Sequence, residues 1–132
     1  MTPEALQGLS ILIVDDEDDF AHTLAGRLEL RGMEARVALS GQEGLEQFSQ
    51  KTPDVVLLDM RMPGLSGVDV LHQIRRVAPE LPVLIITGHC AALDFEQAKV
   101  LGIHGYHPKP LDFEELMRSL QQAAQKSLEK LC

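Results

Sequence analysis

The sequence predicts an α/β fold in which a parallel five-stranded sheet carries helices on both faces. Five short β-rich segments alternate with longer amphipathic segments, and glycines and prolines separate them. Parallel strands need right-handed crossovers, which place the intervening helices on the two faces of the sheet. The chain has 132 residues, the length of one domain, so we expect a single domain over 1–132 with its core at about 9–124.

The predicted strands differ in how continuously apolar they are. Residues 11–14, 55–58 and 83–86 are unbroken apolar runs, which are typical of strands buried on both faces. The five predicted strands, in chain order, are Ser10–Val14, Glu34–Ala38, Asp54–Leu58, Pro82–Thr87 and Ile103–Tyr106.

Apolar residues recur at spacings of three and four in the segments between and after the strands, which is the period of an amphipathic helix. The clearest examples are Phe20, Leu24 and Leu28; Val68, Leu71 and Ile74; and Phe113, Leu116, Met117, Leu120 and Ala124. The last helix should begin near Asp112, and its pattern continues to the chain end without a stop signal. Such an ending is typical of a short stand-alone protein or of a helix that leads to an absent output domain.

Composition excludes several classes of function. Twelve basic and twenty acidic residues give a net charge of −8, which argues against direct nucleic-acid binding and against an anionic membrane surface. The longest apolar runs are far shorter than the roughly 20 residues that span a bilayer. The start of the chain has no signal-peptide pattern, and Cys90 and Cys132 are too few for a disulfide framework. We therefore expect a soluble cytoplasmic protein.

Acidic residues follow two of the predicted strands directly. Asp15 and Asp16 follow the first strand, and Asp59 follows the third. If these strands are neighbours, the three carboxylates meet at the carboxyl edge of the sheet, where open α/β sheets bind ligands. Two carboxylates ~5 Å apart repel by roughly 3 kcal/mol at an effective dielectric of 20. A hard divalent cation such as Mg²⁺ would relieve this repulsion.

Two further polar residues end strands at the same edge. Thr87 ends the fourth strand, and Lys109 follows the fifth between two prolines. A nucleophilic carboxylate, a metal site, a hydroxyl and an ammonium group are the components of phosphoryl transfer. Taken singly, Asp59 is typical of a turn, and the acidic run 15–19 is typical of a solvated helix start. The coincidence of all these residues at strand ends favours the functional interpretation.

Four segments, taken together, resemble the receiver domain of bacterial response regulators, the CheY-like domain of two-component systems. They are Ile11–Glu17, Leu57–Gly64, Ile86–His89 and Tyr106–Pro110, and the likeness covers roughly Leu9–Ala124. The resemblance implies a flavodoxin-like (βα)5 sandwich with strand order 2-1-3-4-5. It also implies a cis bond between Lys109 and Pro110.

The resemblance assigns a role to each site residue. Asp59 would accept a phosphoryl group from a sensor histidine kinase or a histidine phosphotransfer protein. Asp15, Asp16, Asp59 and the backbone carbonyl of Arg61 would hold Mg²⁺, with Asp16 as the main direct ligand. Lys109 would pair with Asp59 and later with the phosphoryl oxygens. The chain would act as a self-phosphorylating switch that slowly loses its phosphate, rather than as a turnover enzyme.

The resemblance also implies an output mechanism. Thr87 would move toward the phosphoryl group, and Tyr106 would turn inward into the space released. This would change the surface formed by the fourth helix, the fifth strand and the fifth helix, through which a homodimer could form. Arg61 and His89 flank the site, where they would tune the lifetime of the phosphate or lie in solvent. Pro108 departs from the usual pattern and could alter the position of Lys109.

Three alternatives compete with this interpretation. A small-molecule phosphatase with an aspartyl-phosphate intermediate usually has a second Asp two residues after its nucleophile, where this chain has Arg61. A metal or redox module would use His89, Cys90, His104 and His107, but a spacing of three on a strand points the last two to opposite faces. A degenerate receiver would bind a partner without phosphorylation, and only Pro108 favours it.

Overall fold

A five-stranded parallel sheet forms the centre of the molecule, and its strand order is β2-β1-β3-β4-β5. The computed structural model describes residues 6–88 and 91–131, with side chains to residue 125. The strands are β1 Ser10–Val14, β2 Glu34–Ala38, β3 Val55–Leu58, β4 Val83–Thr87 and β5 Gly105–Pro108. The helices are α1 Asp18–Leu30, α2 Gly41–Gln50, α3 Gly67–Val77, α4 Ala92–Leu101 and α5 Phe113–Leu131. The predicted doubly wound fold is confirmed, and β1 pairs with both β2 and β3.

The central strands are apolar throughout because both of their faces are covered. On one face, Ile11 and Ile13 pack with residues of α1 and α5; on the other, Leu12 and Val14 pack with residues of α2 and α3. These four side chains are almost fully buried. Burying one such side chain stabilises the fold by about 1.5–3 kcal/mol. The sheet is therefore a rigid platform for the loops at its carboxyl edge.

The fifth strand begins two residues later than the sequence predicts. The apolar character of Ile103 predicts a strand residue, and its side chain does pack against the core on the α3 face, but it lies in a connecting segment before β5. That segment starts at Gly102, whose φ of 102° is in the region that favours glycine. The Arg75 guanidinium donates to the Gly102 carbonyl at 2.8 and 3.1 Å and so fixes the segment to α3.

Side-chain caps begin α2, α3 and α5; at α5, an Asp112 carboxylate oxygen accepts from the Glu115 backbone N–H at 3.2 Å. The Ser40 hydroxyl accepts a hydrogen bond from the Glu43 backbone N–H at the start of α2. Ser66 and Asp69 form a reciprocal capping box at the start of α3. Among the described residues, none of the helices combines the length and the apolar character that crossing a bilayer requires.

Candidate functional site

Two buried carboxylates lie side by side at the carboxyl edge of the sheet. Asp15 follows β1 and Asp59 follows β3, and the Asp59 backbone N–H donates to the Val14 carbonyl at 2.9 Å. Their residues are only 2% and 5% exposed. Because β1 and β3 are paired in register, the chain places the two acids together without any long loop. Of the three carboxylates that the sequence predicts to converge here, the structure brings Asp15 and Asp59 together.

The Lys109 ammonium group lies among these acids. Its Nζ is 2.8 Å from an Asp15 carboxylate oxygen, 2.5 Å from a Glu17 carboxylate oxygen and 3.8 Å from an Asp59 carboxylate oxygen. The same atom lies 4.3 Å from the centre of the Phe20 ring, within the range of a cation–π contact. Only 11% of the lysine side chain is exposed. The ammonium group is thus enclosed by three carboxylates and one aromatic face.

The backbone of Lys109 is anchored to the neighbouring strand. The Lys109 N–H donates to the Thr87 carbonyl at 3.0 Å, and the Lys109–Pro110 peptide bond is cis. Thr87 is opposite Pro108 in the β4–β5 register. Consecutive N–H groups of a strand point to opposite sides, so the nitrogen of residue 108 faces away from β4. Pro108 therefore leaves the hydrogen bond that positions Lys109 intact.

Burial and the hydrogen bond between Asp15 and Lys109 shift the pKa of each residue in opposite directions. Burial raises the pKa of Asp15 and the charge of Asp59 adds to this, although the hydrogen bond from Lys109 opposes it. For Lys109, burial alone would lower the pKa, but the hydrogen bonds to Asp15 and Glu17 outweigh it, so its pKa is raised. The lysine is therefore held as a cation, while Asp15 lies where further positive charge would be favourable.

The acidic group could hold a metal ion. Carboxylate oxygens of Asp15, Glu17 and Asp59 all lie within 4.8 Å of one another, and two of these residues are buried. An all-oxygen donor set of this kind suits a hard cation such as Mg²⁺, which keeps several of its waters. Asp16, which the sequence predicts as a ligand, is exposed and is not one of these three residues, whereas Glu17, from the acidic run that also fits a solvated helix start, is included.

The remaining predicted residues surround the acids. Thr87 is 1% exposed at the end of β4. Arg61 is exposed, and its backbone N–H donates to an Asp59 carboxylate oxygen at 3.3 Å. Tyr106 is 39% exposed on the edge strand, and its ring contacts Phe95 of α4 edge to face at 5.2 Å. The Tyr106 side chain therefore points outward from β5 and packs against α4.

Gly67 packs against the loop that carries Asp59, and it is not among the site residues that the sequence predicts. A Cβ atom at this position would lie 2.4 Å from the Asp59 carbonyl oxygen and 2.6 Å from the Cα of Met60. The Gly67 N–H also donates to the Met60 carbonyl at 3.1 Å. The first turn of α3 therefore packs directly against the backbone that carries Asp59. A glycine immediately after the N-cap Ser66 was the available signal.

The histidines do not assemble a second metal site among the described residues. His107 is buried, and its Nε2 lies 2.9 Å from the Ser119 hydroxyl, which links β5 to α5. Within residues 6–88 and 91–125, the acidic group is the only set of three or more potential ligands that come this close together. His89 and Cys90, which the metal or redox alternative also needed, and Cys132 lie outside the described residues.

A groove of about 730 Å³ opens beside the site. It runs between α1 and the loop after β5, and its walls include Phe20, Leu24 and Leu111 together with Lys109. The groove is therefore largely apolar, but charged side chains, including those of Arg27 and Lys109, also line it. A protein segment lying in it would be next to the acidic group.

Comparison with known proteins gives one consistent family. The family model for the response regulator receiver domain matches residues 11–121. Regulatory protein AtoC of Escherichia coli (strain K12) is 36% identical over 115 residues, which are 87% of this chain and 25% of AtoC. Sensory transduction protein RegX3 of Mycobacterium tuberculosis (strain ATCC 25618 / H37Rv) is 37% identical over 112 residues, which are 85% of this chain and 49% of RegX3.

A solved structure gives the same result. The crystal structure of a response regulator receiver domain protein from Clostridium thermocellum superposes with a TM-score of 0.86 at 33% identity, covering 94% of this chain and 99% of the other. The chain spans between a quarter and a half of the length of the two curated relatives, whereas it matches the solved receiver domain over almost all of its length.

Proposed function

The chain belongs to the response regulator receiver domain family, and on that premise we propose that Asp59 accepts a phosphoryl group from a sensor histidine kinase or a histidine phosphotransfer protein. One observation carries the proposal: a buried carboxylate at the end of β3 lies 3.8 Å from a buried ammonium group and beside a second buried carboxylate. This arrangement supplies a nucleophile and a fixed positive charge for the oxygens of the incoming group.

The reaction is a transfer between two side chains. An Asp59 carboxylate oxygen forms a bond to phosphorus as the phosphorus–nitrogen bond of the donor phosphohistidine breaks. The bonding electron pair stays on the histidine nitrogen. Lys109, which is held as a cation by its carboxylate contacts, would compensate the negative charge on the phosphoryl oxygens. Attack by water on the acyl phosphate later releases inorganic phosphate and restores the Asp59 carboxylate.

The acidic residues would hold Mg²⁺ during this transfer. Asp15 and Asp59 supply buried carboxylate oxygens, and Asp16 and the backbone carbonyl of Arg61 are the further ligands that the family resemblance implies. When bound, Mg²⁺ supplies positive charge that favours phosphoryl transfer between negatively charged groups. The pKa of Asp15, which burial raises, supports this assignment because a neighbouring cation would favour its ionised form.

The groove beside α1 would receive the phosphodonor protein. Phe20 and Leu24 of α1 line it on one side, and Lys109 and Leu111 line it on the other. A donor histidine presented from this groove would approach Asp59 from the side where the ammonium group lies. Apolar contact along the groove would orient the donor, and the Lys109 ammonium group would attract the phosphorylated histidine.

The output surface would be the one that α4, β5 and α5 form together. Ala98 is the buried hydrophobic residue of α4, while Leu93 and Val100 of the same helix are exposed, so α4 has few apolar contacts to hold it in place. Thr87 would move toward the phosphoryl group, and Tyr106 would leave Phe95 and turn inward. The change would alter this surface, through which a downstream target or a second copy of the chain would bind.

The direct test is covalent labelling with a small phosphodonor. Purified protein is incubated with acetyl phosphate and Mg²⁺, and the intact mass is measured. The wild type should gain one phosphoryl group, and Asp59→Asn should gain none. Asp54→Asn is the matched control, because Asp54 precedes the same strand at its opposite end and its side chain accepts from the Ser10 N–H, which an amide oxygen can also do. Equal labelling of Asp59→Asn would place the acceptor elsewhere.

The role of Lys109 is tested separately. Lys109→Ala should keep the fold, as judged by far-UV circular dichroism, but should uncouple phosphorylation from the output surface. The readout is the NMR shift of Tyr106 and of α4 amides on phosphorylation, which should be large in the wild type and small in the variant. Wild-type shifts in a fully phosphorylated Lys109→Ala protein would contradict a switching role for this lysine.

A further inference from the structure

We infer that Glu17 is a positioning residue that holds the Lys109 ammonium group away from Asp59 until a phosphoryl group arrives. The inference rests on the proposed function, because it concerns the lysine that would compensate the phosphoryl charge. It assigns to Glu17 a role that is separate from metal binding. It predicts that this glutamate sets how readily the chain becomes phosphorylated.

The distances place the lysine with Glu17 rather than with the acceptor. Its Nζ lies 2.5 Å from Glu17 and 2.8 Å from Asp15, but 3.8 Å from Asp59. The first two distances are those of charge-assisted hydrogen bonds, and the third is only that of an ion pair. The contact with Glu17 joins residues 92 positions apart in the chain. In the unphosphorylated protein, therefore, the lysine is bonded to the α1 side of the site.

Glu17 does not use its side chain for the usual purpose of its position. It is the N-cap residue of α1, yet its side chain makes no capping hydrogen bond. Ser40 and Ser66, at the corresponding positions of α2 and α3, both accept one. Asp18 and Asp19 already supply negative charge to the first turn of α1. The Glu17 carboxylate is therefore directed to Lys109 rather than to its own helix.

The two carboxylates that bond the lysine differ in how easily they can release it. The Asp15 side chain is 3% exposed, whereas the Glu17 side chain is 62% exposed. If Lys109 moves toward a phosphoryl group on Asp59, the Glu17 carboxylate can be solvated by water, while Asp15 remains in the site. Glu17 is thus the partner that the lysine exchanges for the phosphoryl oxygens.

The expected effect of removing this partner follows from the exposure of the pair. Glu17→Gln removes an ion pair that must be given up on phosphorylation. The loss of an ion pair whose carboxylate is exposed corresponds to about a three- to fivefold change in rate. Labelling of Asp59 by acetyl phosphate at saturating Mg²⁺ should therefore be about three- to fivefold faster in Glu17→Gln than in the wild type. Asp19→Asn removes one charge from the same acidic run without a lysine contact and should label at the wild-type rate.

A double-mutant cycle distinguishes positioning of the lysine from a general effect of charge. In a Lys109→Ala background, Glu17→Gln should no longer change the labelling rate, because Glu17 then has no lysine to hold. A rate increase that persists without Lys109 would overturn the inference, as would a labelling rate in Glu17→Gln equal to or below that of the wild type. Calorimetric titration with Mg²⁺ in the absence of phosphodonor fixes the saturating concentration for each variant.

The outcomes separate this inference from the proposed function. If the wild type labels and Asp59→Asn does not, but Glu17→Gln behaves as the wild type, only the role of Glu17 fails. If the wild type does not label, or if Asp59→Asn labels equally, the proposed function itself fails.

Discussion

Replacing Gly67 by alanine should destabilise the fold and displace the proposed phosphoacceptor. The new Cβ would lie 2.4 Å from the Asp59 carbonyl oxygen, where real Cβ contacts essentially never fall below 3.0 Å. The loop must therefore retreat by about 0.6 Å. The atoms in the way belong to backbone, which cannot rotate aside as a flexible side chain can. Overpacking of this kind costs about 1–3 kcal/mol.

The displacement should also slow the phosphorylation of Asp59. Asp59 lies on the segment that must move, and shifts of about 1 Å in a reacting group can lower rates by roughly 100-fold. We expect labelling of Asp59 in Gly67→Ala to slow by about tenfold or more, even at temperatures where the variant is fully folded. Slow labelling of a folded protein would separate the positional effect from the loss of stability.

Urea unfolding, followed by circular dichroism, measures the free energy of unfolding of Gly67→Ala. Gly26→Ala is the matched control. Gly26 lies on the exposed side of α1, and a Cβ there meets no atom within 4 Å. Alanine at this helix-interior position should stabilise the protein by about 0.5–1 kcal/mol. The two substitutions are chemically identical but should have opposite signs. If Gly67→Ala unfolds at or above the wild-type urea midpoint, the packing argument is wrong.

Three further predictions concern a cap, a buried histidine and the metal. Ser66→Ala removes the capping box of α3 and should lower the free energy of unfolding by about 1 kcal/mol in urea titrations, with no loss expected if the box contributes nothing. Burial lowers the pKa of His107 despite the nearby charges of Glu115 and Asp112, so the unfolded chain takes up a proton that the folded chain refuses. Stability from this residue should be complete above pH ~6.5 and should fall as the pH drops below it, and His107→Gln should flatten that part of the stability–pH curve. Mg²⁺ at 100 times its Kd should stabilise the wild type against thermal unfolding by about 2.7 kcal/mol. Asp15→Asn should lose most of this stabilisation. Equal stabilisation of both proteins would show that Asp15 is not a metal ligand.

Much of the fold could be predicted from the sequence because most elements have a local signal. The unbroken apolar runs of β1, β3 and β4 identify strands covered on both faces, and apolar residues recur at spacings of three and four in α1, α3 and α5. The start of β5 was misplaced because Ile103 is buried without being in a strand. Apolar character reports burial, and it cannot by itself distinguish a strand from a connecting segment that packs on the same core.

The candidate site was predictable where it depends on strand ends and was not where it depends on tertiary contacts. Asp15, Asp59 and Lys109 follow strands directly, so the topology alone brings them together. Glu17 lies in a run of acids that also fits a helix start. Its contact with Lys109 joins residues 92 positions apart, so local sequence patterns cannot predict this contact. The role of Gly67 likewise depends on how closely α3 approaches β3, which is a property of the assembled fold.

Pro108 has a consequence beyond the position of Lys109. β5 is the outermost strand of the sheet, and an outermost strand offers unpaired N–H groups to which another extended chain can add. In this molecule the outward nitrogen at residue 108 carries no hydrogen, so the outer side of a four-residue strand is one donor short. Pro108 therefore leaves Lys109 in place and also disfavours the pairing of another chain's strand with β5. Aggregation through this edge of the sheet becomes less favourable.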